Sequence, residues 1–117
     1  MYREEILDHY KRPRNTGTLE TEFEAQGANK SCGDNVSVYL RLDDGCIQEM
    51  KHKTEGCAIC TAATSILSEE VAGMEIAKIE EIDTDWMLDK LDIDVSPMRM
   101  KCAVLGLKTA QKAIDQD

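Results

Sequence analysis

The chain has 117 residues, and its 14 Lys plus Arg stand against 23 Asp plus Glu, a formal charge of −9. That length suits one compact domain spanning residues 1–117, and with one Trp and one Phe its core must be aliphatic. The acidic balance excludes an ordinary nucleic-acid binder, and no apolar run or charged-then-apolar leader points to a membrane. A cytoplasmic protein without a targeting segment is therefore expected.

Tyr2, Ile6 and Tyr10 fall at four-residue steps with Leu7 beside them, which predicts a short helix over Tyr2–Tyr10. Pro13, Asn15 and Gly17 break it into a turn-rich connection. A weak extended stretch is expected at Phe23–Gln26. The clearest strand runs from about Asn35 to Leu42, where Val36, Val38, Leu40 and Leu42 alternate with polar neighbours. Asp43-Asp44-Gly45 signals a turn, so Ile47 to about Glu55 is the returning strand of a hairpin. From Ala58 the pattern turns helical, with Ala62, Ile66 and Glu69 marking successive turns up to a stop at Gly73. Shorter helices are expected over Glu75–Glu81 and Thr84–Leu91. Ser96 followed by Pro97 opens a last helix to about Ile114. Strands followed mainly by helices make an α+β domain: a small antiparallel sheet of about three strands with helices packed on one side.

The five cysteines are an odd and sparse set, so complete pairing is impossible. In a reducing compartment such thiols serve metal or sulfur chemistry more often than bridges. Three of them lie in Cys32-Gly33-Asp34, Gly56-Cys57 and Lys101-Cys102. Three thiolates with one carboxylate suit Zn²⁺ or a small iron–sulfur core. Aspartate is the harder and weaker partner for either, so such a site is built to release what it binds. In an extended segment Cys32 and Asp34 point to one side, in step with Val36, Val38, Leu40 and Leu42. Gly33 lets the backbone turn sharply or approach an ion. Cys57 falls at the strand–helix junction, where the helix dipole favours thiolate. Cys102, with Met98 four residues before it and Leu105 three after, is expected to face inward.

Each residue also has a bland reading. A single buried Cys is more often a small hydrophobe than a ligand, and Asp34 alone could punctuate a turn. The separations match no compact zinc finger. Cys57 and Cys60 form a CxxC pair opening a helix, the pattern of a thiol oxidoreductase; Cys60 is an alternative ligand or redox partner, or else packs on the neighbouring turn. Cys46 is read as structural, and His52 as a surface or packing residue with zinc ligation the minority reading. His9 is assigned no chemistry. The methionines, Met98 and Met100 included, are expected to fill core gaps.

Several motifs in order then carry a resemblance over essentially the whole length. His9-Tyr10-Lys11-Arg12-Pro13-Arg14-Asn15-Thr16-Gly17 looks like the opening signature of the IscU/SufU/NifU scaffold family of iron–sulfur cluster assembly. Ser31-Cys32-Gly33-Asp34 resembles its first ligand motif, and Gly56-Cys57-Ala58-Ile59 followed by Ala62, Ala63 and Ser65 its second. Ser96-Pro97-Met98-Arg99-Met100-Lys101-Cys102 resembles its third. The resemblance implies an IscU-like fold. It implies that Cys32, Asp34, Cys57 and Cys102 hold a [2Fe–2S] cluster or iron, with zinc the alternative in the cluster-free state. It implies a scaffold rather than an enzyme, with Asp34 keeping the cluster labile. A cysteine desulfurase would place persulfide sulfur on one thiol, Cys102 first, and apo iron–sulfur proteins would take the product. A homodimer around one cluster is left open.

Two departures stand out. IscU-type scaffolds carry His immediately before the last Cys, where this chain has Lys101, as the zinc-dependent SufU type is expected to lack it. SufU-type chains carry an insertion between the second and third ligand cysteines, and the 45-residue separation here leaves no room for one. Lys101 is read either as steering a negatively charged cluster or persulfide or as a solvated helix lysine.

Overall fold

Alternation of buried and outward side chains builds the sheet. The computed structural model describes residues 3–115. Its three strands, β1 (Phe23–Asn29), β2 (Asp34–Asp43) and β3 (Cys46–Glu55), pair antiparallel in the order β1-β2-β3. In β2, Asp34, Val36, Val38 and Leu40 are buried, while Asn35, Ser37, Tyr39 and Arg41 face the other side. Asp44 and Gly45 both take positive φ (54° and 77°), the primed turn that matches strand twist in a tight hairpin.

β1 continues three residues beyond the expected Gln26, to Asn29, which pairs with Asp34. Gly27 and Ala28 have little strand propensity, so pairing with β2 and not local preference extends it. Gly27 also lets a helix cross closely, because a Cβ there would lie 2.3 Å from Thr109 Oγ1.

Five helices follow the expected order: α1 (Glu4–Lys11), α2 (Ala58–Glu70), α3 (Ile76–Glu81), α4 (Thr84–Leu91) and α5 (Pro97–Ile114). α5 packs on β1 and β2, α2 on β3 and α5, and α1 lies on α2. The helices thus cover one face of an α+β fold. α2 is buried from Ile59 to Ser68, a run of small residues that admits neighbours on several sides. It ends at Glu70, before the expected stop, and Gly73 takes its positive φ (84°) in the following turn.

Two sequence expectations are corrected. The stripe on α1 is not Ile6 with Leu7 and Tyr10: Leu7 and Tyr10 are exposed, and Ile6 shares its buried face with His9. The His9 ring is accepted inside because its Nδ1 lies 2.7 Å from Ser65 Oγ. Tyr2, at the start of the expected helix, lies outside the described residues. Nor do Met98 and Met100 fill the core, being 81% and 37% exposed. Ser96 to Lys101 form an exposed first turn of α5, and its burial begins at Cys102.

The opening motif acts as a strap. After α1, His52 N donates to Asn15 O (3.0 Å) and Gly17 N to His52 O (3.0 Å), so the segment pairs along β3. Farther along that strand, Ile47 N donates to Met74 O (2.9 Å) and Gly73 N to Ile47 O (2.7 Å). The free edge of β3 is thereby covered on two stretches, which protects it from pairing with another chain. No helix among the described residues is long and apolar enough to cross a membrane.

Candidate functional site

Three connections converge at one end of the sheet. The turn between β1 and β2 carries Cys32 and delivers Asp34 as the first residue of β2. The junction between β3 and α2 carries Gly56 and Cys57. The second turn of α5 carries Cys102. Gly33 takes φ 71°, the left-handed conformation that turns the chain between Cys32 and Asp34. Cys57 is the N-cap of α2, at the positive end of its dipole.

Cys32 Sγ, a carboxylate oxygen of Asp34 and Cys102 Sγ all lie within 4.8 Å of one another. Ligands around a tetrahedral zinc stand about 3.3–3.8 Å apart, given bonds of about 2.0–2.3 Å. A small inward movement therefore closes this group on an ion. Cys57 lies outside that tight set, yet its thiol lies close to Cys102, as do the Cys32 thiol and the Asp34 carboxylate. Cys32 and Cys57 are half-buried, whereas Asp34 and Cys102 are enclosed.

Asp34 holds the site together. Its Oδ1 accepts the Cys57 N–H at 3.0 Å, linking the sheet to the start of α2. Its Oδ2 is buried with no hydrogen-bond partner among the described residues. Such an orphan oxygen costs about 1–3 kcal/mol and demands an explanation, and a bound cation supplies one. Gly56 is required beside it, since a Cβ there would lie 2.2 Å from Asp34 Oδ1.

The Cys102 thiol carries its proton when no metal is present. Burial, and then the side chains of Asp34, Cys32 and Cys57 beside it, push the Cys102 thiol well above its ordinary value of 9.0. A cation inverts this balance: ligation deprotonates the sulfur and releases a proton. Asn29, not anticipated from the sequence, donates from Nδ2 to Cys102 Sγ at 3.6 Å. Asparagine at a strand end has no distinguishing pattern, and the pairing spans 73 residues.

The remaining candidates lie outside that group of three. Cys60 is fully buried, and burial pushes its thiol up to about 12. An attacking thiol needs a depressed value, so Cys60 is ill suited to that role. Cys46 begins β3 and bridges to Glu75, away from the other thiols. His52 is a packing residue: its Nε2 donates to Arg14 O (2.8 Å), which leaves Nδ1 to accept from Thr54 Oγ1 (2.9 Å). Lys101 is exposed and lines a groove outside the centre.

The family described as "NifU-like N terminal domain" matches residues 1–116. A zinc-dependent sulfurtransferase SufU from Bacillus subtilis is 31% identical, the alignment covering 100% of this chain and 91% of the relative. That alignment spans 134 positions against 117 residues here, so at least 17 positions of the relative have no counterpart. The iron–sulfur cluster assembly scaffold protein IscU of Haemophilus influenzae is 30% identical over 118 residues, covering 97% of this chain and 92% of the relative. Among solved structures, the N-terminal part of a nitrogen-fixing NifU-like protein from Brucella abortus shares the fold with a TM-score of 0.81. It is 20% identical, with 97% of this chain and 92% of that one covered. With a family match that spans nearly every residue, the chain belongs to the NifU-like N-terminal domain family.

Proposed function

We propose that the protein is a scaffold of iron–sulfur cluster assembly, holding a labile [2Fe–2S] unit on Cys32, Asp34, Cys57 and Cys102. Iron and sulfur are its cargo. A cysteine desulfurase supplies the sulfur as a persulfide, an external electron donor supplies the two electrons that reduce each such sulfur to sulfide, and apo iron–sulfur proteins take the finished unit. The observation that carries this reading is Asp34, which brings a carboxylate oxygen within 4.8 Å of two thiols and whose Oδ2 is buried without a partner among the described residues. The likeness to a protein named as a scaffold supports it further.

The chain contributes enclosure, charge and release rather than bond-making of its own. Cys102 is the persulfide acceptor in this reading. It is enclosed in the resting structure, so sulfur transfer to it requires a local opening. The dipole of α2 stabilises negative charge on Cys57, and the Asn29 amide does the same on Cys102. Asp34, the hard ligand in a soft set, keeps the cargo removable.

Zinc-dependent sulfur relay is the second reading. It is favoured by Lys101 in place of an imidazole before Cys102 and by the full-length likeness to the SufU sulfurtransferase. One experiment separates them. Anaerobic reconstitution with iron and sulfide should give a brown protein, with visible absorption abolished by Cys32→Ser, Cys57→Ser or Cys102→Ser. A wild type that stays colourless while retaining stoichiometric zinc would establish the relay. Loss in Cys60→Ser with Cys32→Ser harmless would overturn both.

A further inference from the structure

Three lysines gather in a groove beside the candidate centre. Lys30 follows Asn29 at the β1–β2 turn, and Lys101 immediately precedes Cys102. Lys108 lies seven residues beyond Lys101 on the same face of α5. Together with Ser31 and Leu105 they line a shallow groove of about 400 Å³. No carboxylate lines it, against the trend of a chain with 23 acidic and 14 basic side chains. Lys51 and Lys90 are engaged with Glu49 and Glu70, whereas none of these three lysines pairs with a carboxylate among the described residues. The groove is continuous with the centre, because Asn29 lines it and donates to Cys102 Sγ.

We infer that this groove seats an acidic segment of the protein that exchanges sulfur or cluster with the centre, an inference that rests on the scaffold reading. The molecule as a whole repels an acidic partner, so a local basic strip is what allows one to approach and fixes where it lands. The lysines are spread along the groove, and no guanidinium lines it to grip a phosphate in bidentate fashion. Carboxylates spaced along a peptide match that spread, and Leu105 offers an apolar contact between them. A segment seated there lies against Ser31, the residue before Cys32 in the chain.

The test uses the full metal-free chain and a labelled peptide repeating Glu-Glu-Leu-Asp, read by fluorescence anisotropy at low salt. Wild type should bind it, with affinity falling as salt is added. The triple variant Lys30→Gln/Lys101→Gln/Lys108→Gln should bind about tenfold more weakly or worse. The pair Lys51→Gln/Lys53→Gln, on the opposite face of the sheet, should bind as wild type does. Bound peptide should also slow alkylation of Cys32 by iodoacetamide, followed by mass spectrometry. Equal binding by the triple variant, or equal loss in the Lys51/Lys53 pair, overturns the inference. Displacement of the peptide by inorganic phosphate at constant ionic strength would assign a small-anion site instead. Zinc content should be unchanged in the triple variant. A wild type that binds no metal would refute the scaffold reading while the peptide result stood separately.

Discussion

At Asp34 the fold treats the two carboxylate oxygens differently. Oδ1 is committed to the Cys57 N–H, while Oδ2 is enclosed without a partner. Asp34→Ala removes both features. The lost hydrogen bond and the relieved orphan offset each other to within about 1 kcal/mol, so the metal-free protein should stay folded. A bound cluster, however, loses its one hard ligand. It should decay more slowly in visible absorbance and pass more slowly to an apo-ferredoxin. Faster decay in Asp34→Ala would contradict the assigned role. Asp34 was legible in the sequence because a carboxylate two residues from a thiol is chemically conspicuous. Asn29 and Lys108 were not, since their meaning arises only where β1 and α5 meet.

The helices α2 and α5 cross where neither has a bulky side chain. A Cβ on Gly106 would lie 2.4 Å from Thr64 Oγ1 and 3.0 Å from its Cγ2. Thr64 is buried, and its hydroxyl donates to Cys60 O at 2.8 Å, so it has no room to withdraw. Helix propensity alone predicts that Gly106→Ala gains up to about 1 kcal/mol. The overpacking costs about 1–3 kcal/mol and should win. Thermal unfolding should show a lowered midpoint for Gly106→Ala, partly restored by adding Thr64→Ala, which clears both atoms. Additive effects in that double-variant cycle would show that the crossing is not the cause. Element by element, the sequence was readable where a local signal existed: the alternation in β2, the Ser96-Pro97 start of α5, the turn at Asp44-Gly45. It was unreadable at Gly27-Ala28, where strand is imposed by the neighbour, and on α1, where a histidine takes an apolar position because Ser65 receives it.

Across the whole molecule, what ties the first residues to the sheet is a pair of buried imidazoles. His52 lies beneath the strap and donates to Arg14 O, and His9 meets Ser65, whose hydroxyl also accepts the Arg14 N–H at 2.9 Å. These links join residues far apart in the chain, so no local pattern announced them, just as none announced that α5 would bring Cys102 beside Cys32 and Asp34. They make the fold sensitive to mild acid. Desolvation is the main cause holding both imidazoles below their ordinary 6.5; Arg14 adds to it at His9, and Lys51 adds at His52 against the Arg14 carbonyl. The native state therefore binds fewer protons than the unfolded chain below that value. The stabilisation is complete above pH 6.5 and is lost as the pH falls toward the depressed native values, by at most about 1.4 kcal/mol per pH unit for each ring. Asp8 does not contribute over that range: Arg14 and Arg12 hold it at about 2 against an ordinary 3.8, so its contribution disappears only in stronger acid. Urea unfolding of the metal-free protein should give a lower midpoint at pH 5.5 than at pH 7.5. His52→Gln, which keeps a donor for Arg14 O but cannot be protonated, should narrow that gap. An unchanged gap in the variant would remove His52 as a source of the acid sensitivity.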